Sequence, residues 1–122
     1  MRLGSFIIFE LALSLLILFI GVGFWLRPPR KINGVYGYRT RLSMSSQEAW
    51  DEANRYSSFL TMGWSLLAVF VQGLLHFFLP PKRILFVTCM IWLSLLILTL
   101  LLTERHLARK FDKSGKKKNS AI

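Results

Sequence analysis

Apolar side chains are gathered into three nearly unbroken runs, residues 6–26, 58–79 and 84–103, instead of alternating with polar ones at the period of a surface strand or helix. At about 1.5 Å rise per residue, helices of this length each cover roughly the 30 Å thickness of a bilayer's hydrocarbon. The pattern predicts an all-α membrane protein with three transmembrane helices and excludes an ordinary water-soluble fold. Between and after the runs lie a polar loop, residues 27–57, a short turn, Pro80-Pro81-Lys82-Arg83, and a tail, residues 104–122. No second domain fits into these segments, so residues 1–122 read as one membrane domain. The first run is longer than the roughly 7–15 apolar residues of a signal peptide, and Arg27-Pro28-Pro29-Arg30 stands where a small-residue cleavage site belongs, so the run is expected to be retained.

The loop carries its own pattern. Ser45-Ser46-Gln47-Glu48 fits a capping box, and Ala49, Trp50, Ala53 and Tyr56 then define an apolar face opposite Glu48, Asp51, Glu52 and Arg55. This predicts a short amphipathic interfacial helix over residues 46–57, with Trp50 and Tyr56 as interface anchors and Asn54 on the flank between membrane and water. Upstream, Pro28 and Pro29 stop the first helix, Asn33-Gly34 suits a turn needing positive φ, and Gly37 permits a close backbone approach.

Charge orients the chain. Among 122 residues there are 16 Lys plus Arg against 6 Asp plus Glu, a formal net charge of +10. One basic residue precedes the first run (Arg2), six lie in the loop, two in the turn and seven in the tail. Basic loops stay on the cytoplasmic side, so the expectation is N-out, C-in, with loop and tail inside. The same residues make a face attracted to anionic phospholipids of the bilayer, and no nucleic acid partner is expected. The polar tail, Arg109 to Asn119, is expected to fray beyond Gly115, and it also offers a docking surface for a cytoplasmic regulator or membrane partner. Cys89, the single cysteine, lies within the third run and has no partner for a disulfide.

Ionisable groups inside a membrane are costly, and the runs hold two, Glu10 and His76. Each sits about one turn below the same surface, so the two can meet. Glu10, Ser14, Ile17 and Gly21 form one helical stripe; Ser58, Met62, Ser65, Val69, Gln72 and His76 form another; Thr88, Trp92, Thr99 and Thr103 form a third. Three readings stand: these polar stripes are the seam of a three-helix bundle, Glu10 and His76 form a proton- or ligand-sensitive site facing outward, or both snorkel to the surface. A bundle of three helices leaves little room for a solute path, so transport would demand an oligomer.

In the loop, Arg39 has the planar fork that grips phosphate or carboxylate, with Thr40, Ser43 and Asn54 available for neutral hydrogen bonds beside it, and a lipid phosphate is the nearest ligand. Equally open is an internal role, in which Arg39 bridges loop carbonyls or pairs with Glu104 at the end of the third helix. The sequence contains no nucleophile turn, P-loop or metal-ligand spacing, so no catalytic residue, no metal and no cofactor is assigned and the protein is not expected to be an enzyme.

The loop resembles the SdpI family, small bacterial membrane proteins named for the immunity protein against the sporulation-delaying peptide toxin. The family pattern runs Asn, three residues, Gly-x-Arg-Thr, then Ser, then Trp followed three residues later by Ala-Asn; here these are Asn33, Gly37, Arg39, Thr40, Ser43, Trp50, Ala53 and Asn54. The stretch Glu104-Arg105-His106-Leu107, then Phe111-Asp112 and Gly115, is similar to the family's ending. Arg41 departs from the pattern, since many members have proline there, and longer members carry additional helices ahead of this module. The resemblance implies a multi-pass protein of the bacterial cell membrane that protects the cell from a membrane-active peptide toxin or bacteriocin. The competing expectation is an accessory subunit or membrane sensor that docks a transporter or cytoplasmic regulator through its basic loop and tail. An enzyme or transporter ranks third.

Overall fold

In the computed structural model, which describes residues 3–118, three helices account for most of the chain. They are α1 (Leu3–Leu26), α2 (Gln47–Leu75) and α3 (Pro81–Lys110). Each is long and apolar enough to cross a membrane. Arg2, counted in the charge argument, and Asn119 of the tail lie outside the described residues.

The helix ends follow local chemistry. α1 stops where Pro28 and Pro29 remove backbone donors, its last turn closed by the Arg27 N–H on the Gly23 carbonyl at 2.8 Å. Ser46 is the N-cap of α2: its backbone is extended and its hydroxyl accepts from the Ala49 N–H at 3.1 Å. α3 begins at Pro81, whose fixed φ suits a first helical position, after the Pro80 cap. The second apolar run therefore divides, with α2 ending at Leu75 and residues 76–80 making the turn, while Lys82 and Arg83 belong to the first turn of α3.

Two expectations are corrected here. The amphipathic segment 46–57 is helical, but it forms the first three turns of α2 without a break and is not a separate interfacial helix. Nothing between Tyr56 and Phe59 interrupts the helix, because Ser57 and Ser58 return their hydroxyls to the Asn54 carbonyl and stay within it. The tail, too, is ordered through Lys118. It folds back on α3, with a bridge between Phe111 and Lys117 and the Lys118 N–H on the Lys110 carbonyl at 2.8 Å. Asp112 seals that turn by accepting from the Ser114 and Lys116 N–H groups, each at 2.9 Å.

The bundle is inverted relative to a soluble protein. Its large apolar side chains point outward, Phe19, Phe77 and Phe78 being 73%, 83% and 80% exposed, while Glu10, Ser14, Ser58, Ser65, Gln72, Thr88, Thr99 and Thr103 are buried. Lipid supplies no hydrophobic force between helices, so small and hydroxyl-bearing residues form the seam and the apolar surface faces hydrocarbon. Gln72 ties all three helices: its Oε1 accepts from Ser14 on α1 at 2.9 Å and its amide donates to Thr88 on α3 at 3.4 Å. The chain is an all-helical, multi-pass membrane protein.

Among the described residues, an apolar cluster of the ordinary kind packs at the loop end of the bundle. Ala49 and Ala53 of α2, Leu107 of α3 and Phe111 of the tail pack together, with Tyr38 and Leu42 of the loop against them.

Candidate functional site

Two places gather the polar residues singled out in the sequence, one at each end of the bundle. At the loop end, residues 27–46 fold over the start of α2 and the end of α3. Asn33 begins the fold, its side-chain oxygen accepting from the Val35 and Tyr36 N–H groups at 2.9 Å each. Positive φ falls at Gly37 (φ 103°), not at Gly34. Gly37 lets the backbone pass over α2, where Asn54 Oδ1 accepts the Tyr38 N–H at 2.7 Å.

Asn54 and Trp50 are therefore not at a membrane interface. Trp50 is fully buried and its indole N–H donates to the Pro29 carbonyl at 2.6 Å, tying the end of α1's exit segment to α2. Asn54 is 2% exposed and spends its amide on the Trp50 carbonyl at 2.9 Å. The apolar face of the segment meets the loop and tail because those fold over it, leaving Tyr56 half-buried and stacked on His106 at 4.0 Å between ring centroids.

Arg39 does not pair with Glu104. Its guanidinium donates to the Gly34 carbonyl and the side chain stays exposed, the carbonyl-bridging version of the internal role. Thr40, Ser43 and Asn54 are committed elsewhere and do not assemble a cradle beside it. Thr40 and Ser43 exchange bonds: the Thr40 N–H donates to Ser43 Oγ at 2.7 Å and the Ser43 N–H to Thr40 Oγ1 at 3.2 Å. Glu104 receives the Tyr38 hydroxyl at 2.8 Å together with the Thr40 hydroxyl.

Tyr38 is the loop residue that sequence reasoning missed, although its place beside Arg39 and its mixed apolar and polar character were visible. Burial, then the Glu104 carboxylate, push its phenol well above the ordinary tyrosine range. The phenol is thus held as a donor. Because the folded value lies above the unfolded one, this stabilisation is whole below pH 10 and is lost as pH rises beyond it. Glu104→Gln keeps an acceptor but removes the charge, so Tyr38 is expected to ionise at lower pH than in the parent, read from phenolate absorbance. Glu104→Ala, which leaves the Thr40 hydroxyl without its acceptor and the Tyr38 hydroxyl with only the Leu100 carbonyl at 3.2 Å, is expected to cost about 1–3 kcal/mol of stability.

The tail completes this end. Glu52 accepts from His106 at 2.7 Å and from Lys110 at 2.9 Å, and pairs with Arg55 at 2.9 Å. Gly115 (φ 83°) lies on Ser45, where a Cβ would come within 2.6 Å of its hydroxyl. Beside these contacts opens a cleft of about 610 Å³, whose lining includes Trp25, Arg30, Glu48, Asp51, Arg55 and Lys117.

At the turn end, the structure brings Glu10 and His76 together. His76 Nε2 is 3.3 Å from Glu10 Oε2, an ion-pair distance whose geometry leaves both carboxylate oxygens without a hydrogen bond. Glu10 is 1% exposed, whereas the His76 side chain is 27% exposed. Ser14, Gln72 and Thr88 continue inward from this pair along the seam.

The sequence profile of the SdpI/YfhL protein family matches residues 30–103, which takes in the loop motif, α2 and most of α3. A Bacillus subtilis protein named "Uncharacterized protein YfhL" is 40% identical over 109 residues, covering 83% of this chain and 92% of the relative. No solved structure matches the chain. A profile spanning more than half of the sequence, and a relative aligned over most of both, agree with the loop motif that the structure has folded around Asn54 and Trp50, and the chain belongs to the SdpI/YfhL family.

Proposed function

We propose that the protein sits in a bacterial cell membrane, loop and tail on the cytoplasmic side, and protects the cell from a membrane-active peptide toxin, with no catalytic step. Family membership brings the immunity reading forward, and one observation directs its mechanism. Glu10 is a buried carboxylate short of hydrogen bonds, beside a half-open histidine and within reach of the outer surface that Lys82 and Arg83 flank. A cationic or amide-rich peptide entering from outside meets an acceptor there.

The loop motif takes the other role. Its side chains are spent on one another, which supports a clamp that keeps the bundle closed and leaves only the Arg39 guanidinium outward.

The two roles separate in one experiment: membrane potential in a sensitive host exposed to a sporulation-delaying-type peptide, with empty vector, parent, Glu10→Gln and Arg39→Ala at matched expression. Parent and Arg39→Ala are expected to retain the potential while Glu10→Gln loses it. Loss with Arg39→Ala alone would move the site to the cytoplasmic face, and collapse in every strain would remove this toxin class.

A sensor that docks a cytoplasmic regulator is the second reading, favoured by the cleft with Arg30, Arg55 and Lys117 on its wall. Truncating the tail does not isolate this reading, since Phe111 belongs to the core. Charge reversal at the exposed Lys113 and Lys117 does: a docking protein loses signalling, an immunity protein acting within the bilayer does not.

A further inference from the structure

The cleft of about 610 Å³ at the loop end is lined by charges of both signs. Three of them satisfy one another, Glu52 holding Arg55 and Lys110 at 2.9 Å each. Four do not: Arg30, Glu48, Asp51 and Lys117 are exposed and form no ion pair among the described residues. Two cations and two anions, unpaired on one wall, are complementary to a ligand that itself carries both signs. The cleft also stands at the depth of lipid headgroups. Phe24 and Trp25, from the last turn of α1, line it. On α2, Arg55 lies about 4–5 Å and Asp51 about 10 Å outside the apolar run that begins at residue 58, at 1.5 Å per residue, against a headgroup layer roughly 5–8 Å deep.

A smaller cavity of about 190 Å³ shares Trp25, Glu52 and Arg55 with the cleft and adds Tyr56 and Phe59, so the space continues along α2 to the edge of the hydrocarbon. There the exposed rings of Trp25 and Phe59 lie 5.8 Å apart. A small soluble zwitterion meets the charges and has nothing to place against these rings; a lipid meets both. In a zwitterionic phospholipid the phosphate lies nearer the hydrocarbon than the ammonium that ends the headgroup. α2 presents its charges in the matching order, Arg55 deepest, Asp51 one turn and Glu48 two turns further out. The Arg55 guanidinium gives one nitrogen to Glu52 and keeps its other donors free. Phosphatidylglycerol sets no cation against the two carboxylates, and the quaternary ammonium of phosphatidylcholine has no N–H to give them. We propose that this cleft binds phosphatidylethanolamine, with Arg55, Arg30 and Lys117 on its phosphate, Asp51 and Glu48 on its primary ammonium, and its glycerol end against Trp25 and Phe59.

The test is native mass spectrometry of the full chain in detergent, titrated with phosphatidylethanolamine, phosphatidylcholine and phosphatidylglycerol of identical acyl chains. Saturable binding is expected, with phosphatidylethanolamine held at least about fivefold more tightly than either of the others. Glu48→Gln/Asp51→Asn removes two carboxylate charges from exposed positions. With helicity unchanged by circular dichroism, it is expected to bring phosphatidylethanolamine to the affinity of phosphatidylcholine and to leave phosphatidylcholine where it was. Arg30→Gln/Lys117→Gln is expected to weaken both lipids by about fivefold or more. Equal binding of phosphatidylethanolamine and phosphatidylcholine to the parent would overturn the proposal, and tightest binding of phosphatidylglycerol would replace it with attraction of anionic lipid to a basic face; neither comparison needs a variant. A carboxylate double variant that keeps the parental preference, or a cation double variant of parental affinity, would overturn it as well. Displacement of the bound lipid by an equal concentration of glycerophosphoethanolamine, which has the headgroup and no acyl chains, would assign the cleft to a soluble ligand instead. None of these readouts depends on the toxin assay, so the lipid site and the immunity reading fail separately.

Discussion

Replacing Trp50 with alanine is expected to remove about 4 kcal/mol of folding stability, among the largest effects of any single substitution in the chain. The side chain is fully buried, so its loss leaves a cavity beneath the loop. It also leaves the Pro29 carbonyl, which accepts the indole N–H at 2.6 Å, without its partner. Trp50→Phe separates the two contributions: most of the ring volume remains and only the hydrogen bond goes, for about 1–2 kcal/mol. Thermal unfolding in matched lipid nanodiscs, followed by circular dichroism, gives both differences. A Trp50→Ala loss under about 1 kcal/mol would place this tryptophan in lipid and remove the loop clamp from the account.

Gly37→Ala follows, at about 3 kcal/mol or more. Two costs coincide at this position. A φ of 103° is strained for any residue with a Cβ, at about 1–3 kcal/mol. The added methyl would also meet Asn54 Oδ1 at 2.7 Å and Pro29 Cγ at 2.9 Å. Neither can yield freely, since Asn54 Oδ1 is held by the Tyr38 N–H and Pro29 by Trp50. Gly34→Ala is the matched control, with nothing within 4 Å of its Cβ position and no positive φ, and is expected to stay within about 0.5 kcal/mol of the parent. Similar losses at both glycines would mean that the crossing over Asn54 does not set the cost, since the entropy effect of Gly→Ala on the unfolded chain is stabilising.

These two variants probe one device. Asn33 starts the turn, Gly37 lets the chain cross α2, Asn54 catches it, Trp50 anchors the segment before it, and Thr40 with Tyr38 fastens it to Glu104 on α3. With Ser43 bonded to Thr40 and Ala53 in the apolar cluster, seven of the eight motif residues are used inside the fold. Arg39 differs, since an exposed guanidinium on a single carbonyl contributes little to stability and remains available for contact.

Three long apolar runs determined the three helices and their membrane character, because a helix in lipid must satisfy its backbone internally and show hydrocarbon on its outside. The polar stripes and the meeting of Glu10 with His76 were legible for the same reason: period 3.6 fixes which residues share a face, and depth follows from counting turns. Proline and serine marked helix ends locally. What lay beyond the sequence was which surface covers an amphipathic face. Ala49, Trp50 and Ala53 suit a membrane interface and a protein core equally well, and only the return of the loop and of Phe111 onto them decided for the core. The same holds for Arg39 and Glu104, whose charges invite a pair that the structure does not make. A backbone crossing at Gly37 turns Tyr38 and Thr40 toward the carboxylate, and the partner of a polar side chain is chosen by where the backbone passes, which no spacing along the chain encodes.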